Sequence, residues 1–257
     1  MRYGSYVALG DSFTEGMDDA RGDGTYRGWA DLVAGRLAEE VDGFRYANLA
    51  VRGKTLEPVI EEQLPAAVRM KPDLVSFSAG GNDALRRRFD PELVGQAYDG
   101  AIARLRATGS DVLLFTPANG TDRLPAKKYL TQRVESMLTV VRRTAAAQGA
   151  MLVDLWSDDD LRDARMWAPD RLHLSPAGHH RVAANVLDVL GIEPPQSWRG
   201  PLAPARRGSW IGSRREDLRW AGSHLAPWIG RRLRGRSSGD TVTAKRPTLD
   251  PLPRADA

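Results

Sequence analysis

Ser12, Asp170 and His173 are the residues of this chain whose types and spacing suit a chemical task. A serine hydroxyl is a weak nucleophile until a neighbouring base takes its proton. An imidazole is an effective base only when a third group fixes its tautomer. Ser12 closes the Gly10-Asp11-Ser12 turn near the N-terminus, while Asp170 and His173 stand three positions apart far downstream. Between them lie Gly53, in Asn48-Leu-Ala-Val-Arg-Gly53, and Asn82, in Gly80-Gly-Asn-Asp83. A glycine N–H and a side-chain amide can both donate hydrogen bonds to a developing oxyanion. The set implies acyl transfer through a serine.

Those groups act together only if the chain carries them to one place. Apolar runs at Ser5–Leu9, Arg45–Ala50, Asp73–Ser78, Asp111–Thr116 and Met151–Leu155 read as strands. Helical patterns alternate with them. Trp29–Val41 sets Trp29, Leu32, Val33, Leu37 and Val41 on one face, and Leu56–Val68 is helical in part, its ends blurred by Pro58 and Pro65. Pro91–Thr108 begins with a first-turn proline and stops at Gly109; Thr131–Gln148 follows the fourth strand. Ser175-Pro176 then opens a last helix that reaches Leu190 before Gly191. Alternating strands and helices predict an α/β fold: a three-layer α/β/α sandwich around a five-stranded parallel sheet. Ligands of open parallel sheets bind beyond the carboxyl ends of the strands. Ser12 follows the first strand, Gly53 the second, Asn82 the third and the Asp170–His173 loop the fifth, so four segments converge on one edge.

The blocks Gly10-Asp-Ser-Phe-Thr-Glu-Gly16, Asn48-Leu-Ala-Val-Arg-Gly53, Gly80-Gly-Asn-Asp83 and Asp170-Arg-Leu-His173 resemble those of the SGNH hydrolases, the GDSL-like lipase/acylhydrolase family, over roughly residues 5–190. Phe13 stands where the family name has Leu. The resemblance implies a flavodoxin-like fold and an esterase with Ser12 as nucleophile, His173 as base and Asp170 as its orienter. It also implies an oxyanion hole from the Ser12 and Gly53 backbone N–H groups and the Asn82 side chain. Neither metal nor cofactor enters such a reaction. The substrate would be a small-molecule, glycan or lipid acyl ester, and an acyltransferase or carbohydrate O-deacetylase would use the same triad.

Taken singly, the same residues have plainer roles. Asp11 suits a cap of the following turn, Gly53 a backbone requirement, and Asn82 an Asx-turn. Asp83 suits a cap or a partner for Asn82, and Arg86-Arg87-Arg88 an anion contact or a solvated loop. Asp158-Asp159-Asp160 has no histidine spaced to complete a metal site and reads as a loop or helix N-terminus. Of His179 and His180, one reads as packed and one as exposed. Trp156 and Trp167 suit either a pocket entrance or packing.

Charge is unevenly spread. Residues 195–257 hold 13 Lys/Arg and 5 Asp/Glu, net +8, whereas residues 1–194 hold 24 and 28, net −4. A boundary near Pro194-Pro195 is therefore expected, with a hydrolase domain over 1–194, a basic Trp/Arg-rich arm over 195–233 and a loose tail over 234–257. The arm carries Trp198, Trp210, Trp220 and Trp228, more aromatics than disordered segments usually hold. Its stretches Arg206–Arg219 and Leu225–Leu233 suit short helices. Packing against the acidic body is the favoured reading; a surface for an anionic partner, phospholipid headgroup or nucleic acid, is the alternative. A binding module acting through this arm, with a vestigial site, is the rival from another functional class. The absence of cysteine excludes a disulfide framework and thiolate zinc. The opening residues lack a signal-peptide pattern and no long apolar run occurs, so a cytoplasmic location is expected.

Overall fold

Strand β1, Ser5–Gly10, is buried along its whole length. Tyr6 and Ala8 enter the core on one side of the sheet, Val7 and Leu9 the core on the other, which is why the strand reads as a continuous apolar run. The computed structural model describes residues 3–86, 88–119, 127–200, 202 and 239–254, with the side chains of 127 and 128 left aside. In it β1 pairs in parallel with both β2 (Arg45–Asn48) and β3 (Leu74–Ser78). Strands β4 (Asp111–Phe115) and β5 (Met151–Val153) extend the parallel sheet beyond β3. The spatial order β5-β4-β3-β1-β2 reverses direction at β1, and the crevice between β1 and β3 is where such a sheet receives its ligand.

Helices α2 (Gly28–Glu40) and α8 (Pro176–Val189) cover one face, packing Trp29, Val33, Leu37, Val182 and Val186 against Tyr6, Leu113 and Phe115. The other face is covered by α4 (Leu64–Met70), α6 (Pro91–Arg106) and α7 (Lys127–Gln148), through Leu64, Ile102, Leu105 and Val141. Three short helices stand at the sheet's carboxyl edge: α1 (Ser12–Glu15), α3 (Leu56–Pro58) and α5 (Gly81–Ala84). A π-turn, Val59–Gln63, joins α3 to α4. The predicted helix starts are built as caps. Asp90 accepts from the Glu92 and Leu93 N–H groups, and Ser175 from the Gly178 N–H. Among the described residues no helix is long and apolar enough to cross a membrane.

The structure bears out the parallel sheet of five strands and adds to it at one edge. The sheet has a sixth strand, β6 (Arg246–Pro251), which runs antiparallel on the outer edge of β2. The five parallel strands are thus joined by one that periodicity did not reveal. Pro247 and Pro251 cannot donate to a ladder and are tolerated because β6 is an edge. The tail expected to be loose from residue 234 is therefore fixed over residues 239–254. The Leu252 N–H donates to the Phe44 carbonyl, and Arg254 reaches the Ala38 carbonyl and Asp42 at the end of α2. The charge change at Pro194-Pro195 does not end the body's sheet, because the chain returns to complete it.

Of the basic arm, residues 195–200 and 202 are described. A 3-10 turn, Gln196–Arg199, lays the Trp198 indole on the His180 ring, with centroids 5.6 Å apart and planes 13° from parallel. Leu202 packs against the α2/α8 core. Trp210, Trp220, Trp228 and the two suggested short helices lie outside the described residues.

Candidate active site

The turn after β1 is held from outside. Gln63, buried in the π-turn, accepts from the Gly10 N–H at 2.8 Å and donates to the Gly10 carbonyl at 2.9 Å. Asp11 then caps α1 by accepting from the Phe13 N–H at 3.1 Å. This places half-buried Ser12 at the first position of α1, at the carboxyl end of β1.

The loop after β2 lies beside it. Gly53 takes a left-handed φ of 74°, which a side chain would resist. Its neighbour Arg52 is gripped by Glu15 of α1: the Glu15 carboxylate accepts from the Arg52 N–H at 2.7 Å and from the guanidinium. Glu15 is buried and Arg52 also lies over the Tyr26 ring. The Ser12 turn and the Gly53 loop are thereby one unit.

The loop after β3 closes the group. The Asn82 side-chain amide donates to Asp11 Oδ2 and to the Lys54 carbonyl, both at 2.9 Å. Asp83 accepts from the Leu56 N–H at 2.9 Å, so it caps α3. Asp11 thus does more than cap: it aims Asn82. Burial pushes the Asp11 carboxyl up to about 6, against the Phe13 and Asn82 hydrogen bonds and the His173 charge.

The loop before α8 presents the imidazole. Asp170 Oδ1 accepts from the Leu172 and His173 N–H groups at 3.0 Å each, while Asp170 Oδ2 lies 2.5 Å from His173 Nδ1. Burial opposes the Asp170 charge, but the His173 and backbone N–H bonds prevail and hold it at about 2. Burial likewise opposes charge on His173, and the two carboxylates beside it overcome this and push it up to about 9. The second carboxylate is Asp18, whose Oδ2 lies 3.4 Å from the same Nδ1. Asp18 sits in the turn after α1 at φ 69°. With Nδ1 engaged, Nε2 is the nitrogen left to act. Among the described residues no hydrogen bond joins the Ser12 hydroxyl to His173; contacts of this kind tighten when substrate binds.

Asp18, Asp170 and His173 also form a group with metal-ligand chemistry, each offering one atom within 4.8 Å of the others. An imidazolium between two carboxylates accounts for their approach. Asp158 is structural: it caps the turn at Asp159–Arg162 and binds Arg181 and Asn185. Trp167 donates its indole N–H to the Leu161 carbonyl and pairs with Leu174 beside the His173 loop. His179 is buried, pushed down to about 4 by burial, donates to the Met17 carbonyl and accepts from the Trp29 N–H. His180 is half-buried rather than exposed. Gln63, Glu15 and Asp18 escaped the reading of the sequence. Only Glu15, inside the Gly10–Gly16 block, stood near a flagged motif.

Comparison with known proteins identifies the family. The sequence model of the GDSL-like lipase/acylhydrolase family matches residues 8–181. Esterase TesA of Pseudomonas aeruginosa is 29% identical over 185 residues, 72% of this chain and 86% of that protein. A crystal structure of TesA superposes with a TM-score of 0.60 at 28% identity, over 72% of this chain and 97% of that one. The lipase/acylhydrolase from Enterococcus faecalis gives a TM-score of 0.60 at 25% identity, over 76% of this chain and all of its own. The chain belongs to the GDSL-like lipase/acylhydrolase family and is a serine hydrolase of ester bonds.

Proposed function

We propose that the protein hydrolyses a carboxylic ester through an acyl-Ser12 intermediate. The observation that carries this reading is the 2.5 Å contact from Asp170 to His173 Nδ1, on the sheet edge where β1 delivers Ser12. Ser12 Oγ attacks the carbonyl carbon as its proton passes to His173 Nε2. The Nδ1–H donates to Asp170 and stabilises the imidazolium. The Ser12 and Gly53 N–H groups and the Asn82 amide receive the oxyanion. His173 then protonates the departing alcohol; a water, giving its proton to His173, attacks the acyl carbon, and as the acyl–Oγ bond breaks His173 returns that proton to Ser12 Oγ and the acid is freed. For Asn82, the charge-assisted bond to Asp11 aims the amide, and the bond to the Lys54 carbonyl is the one the oxyanion displaces.

Replacing Asn82 with Ala is expected to lower kcat by roughly 10²–10³-fold with a much smaller change in KM. Steady-state kinetics on a soluble ester check this; near-normal turnover would assign Asn82 to loop structure alone.

The pH profile follows from the charges around His173. Only neutral imidazole accepts the Ser12 proton, and a raised pKa means activity is lost as pH falls through that value. The acidic limb of kcat/KM is therefore expected well above the ordinary histidine value, towards about 9. Asp11, ionised only above about 6, pushes the same way by holding Asn82 in its charged form. A limb centred at or below 6.5 would show His173 not to feel both carboxylates.

The acyl and alcohol parts of the substrate are best sought with a panel of acetyl to long-chain acyl esters, including acetylated oligosaccharides, each with and without alcohol acceptors. Free acid in every case supports the hydrolase. Product ester on added alcohol would make the chain an acyltransferase with the same triad.

A further inference from the structure

One largely enclosed cation among the described residues lies outside the reaction. Lys245, next to β6, is largely buried, and its Nζ donates to the carbonyls of Glu15 at 2.8 Å, Tyr26 at 3.1 Å and Arg27 at 2.6 Å. Asp31 Oδ1 lies 2.8 Å from the same nitrogen. Enclosing an ammonium is costly, and these four oxygens together replace its water. Two of these partners, Glu15 and Arg27, lead to the site. Glu15 closes α1 behind Ser12 and grips Arg52, next to Gly53. Arg27 binds Asp19, which adjoins Asp18 beside His173. A second contact comes from the same segment. Gly239 lies so close to the Gly53 loop that a Cβ there would stand 2.1 Å from the Arg52 carbonyl oxygen.

We propose that Lys245 is a positioning residue for the oxyanion hole, and that residues 239–254 serve as a strap holding the Ser12 turn and the Gly53 loop in register. The family match ends at residue 181, so this strap lies beyond the shared sequence. The inference rests on the reading of Ser12 and Gly53 given above. Two N–H groups on separate loops receive one oxygen only if their spacing is held to a fraction of an ångström, and looser placement is costly to rate. Lys245 fixes the first loop through the Glu15 carbonyl, and Glu15 passes that constraint to the second through its carboxylate.

The test uses the full chain with Lys245→Met, which keeps the stem and removes the ammonium, and Gly239→Ala, which leaves Lys245 untouched and displaces the Arg52 carbonyl. For each, kcat and KM on a small ester, the rate of phosphonylation by a fluorophosphonate, and Tm are measured well below the melting range. Both variants are expected to lose roughly 10–100-fold in kcat and in phosphonylation rate, with KM within about twofold. Gly239→Ala should do so at temperatures where it remains folded, with a Tm lowered by the clash with the Arg52 backbone. If Lys245→Met does not fold, Gly239→Ala decides alone. Wild-type kcat and labelling rate in folded variants would overturn the strap, as would losses that merely track the unfolded fraction. Ser12→Ala serves as the control: persistent labelling there would overturn the site itself, whereas lost labelling with unaffected strap variants overturns only this proposal.

Discussion

Replacing Ser12 with Ala is expected to cut ester turnover by roughly 10⁴–10⁶-fold and to abolish covalent labelling by a fluorophosphonate probe. The loss is large because no other group takes over attack once Oγ is gone; what remains comes from the oxyanion donors and substrate binding. Folding should be unaffected. Asp11 still caps α1, Gln63 still holds Gly10, and the backbone carbonyl of residue 12 still accepts from the Gly16 and Met17 N–H groups. Intact-mass detection of the phosphonyl adduct, set beside thermal melting, checks both statements. Equal labelling of variant and wild type would move the nucleophile to another residue.

The convergence of the candidate groups was legible because each belongs to a local motif. A Gly-Asp-Ser turn, a glycine loop and an Asp-x-x-His loop each need a few consecutive residues, and strand alternation brings them to one edge. What was not legible is the support between them. Gln63 reaches Gly10 across 53 positions and Glu15 reaches Arg52 across 37, so neither contact has a short-range signature. Asp18 is harder still: in Met17-Asp-Asp19 it is one of two adjacent acids in a polar turn. The fold selects between them by giving Asp19 to Arg27 and turning Asp18, through its left-handed backbone, towards His173.

The same distinction explains the fold. Strands buried on both faces, such as β1 and β4, announce themselves as apolar runs. Strand β6 does not, since an edge strand has one ladder to satisfy and carries prolines and charges. Lys245, read from sequence, is one more base in a basic tail, and only the four oxygens around it reveal a buried ion. Charge totals therefore located a change of composition near residue 195 but said nothing of where the chain went afterwards.

The two carboxylates at His173 Nδ1 should separate sharply on mutation. Asp170→Asn is expected to cost roughly 10³–10⁴ in kcat, because an amide facing Nδ1 favours the wrong tautomer and withdraws the charge that stabilises imidazolium. Asp18→Asn should cost less than about tenfold. Asp170 makes the shorter contact and is fixed by two backbone N–H bonds, whereas Asp18 is 3.4 Å away and more than a third exposed, so solvent screens it. Its effect should appear in the pH profile instead. Removing one carboxylate lowers the pKa of His173, so the acidic limb of kcat/KM moves to lower pH and the variant gains on wild type in acid. In the Asp170→Asn background Asp18 becomes the remaining carboxylate beside Nδ1, and its loss there should be more damaging than its loss alone. A double-mutant cycle with full pH profiles reads this coupling. If Asp18→Asn proves as damaging as Asp170→Asn at every pH, then Asp18, in its left-handed turn, is the residue that orients the base, and the sequence-adjacent pair is not the catalytic one.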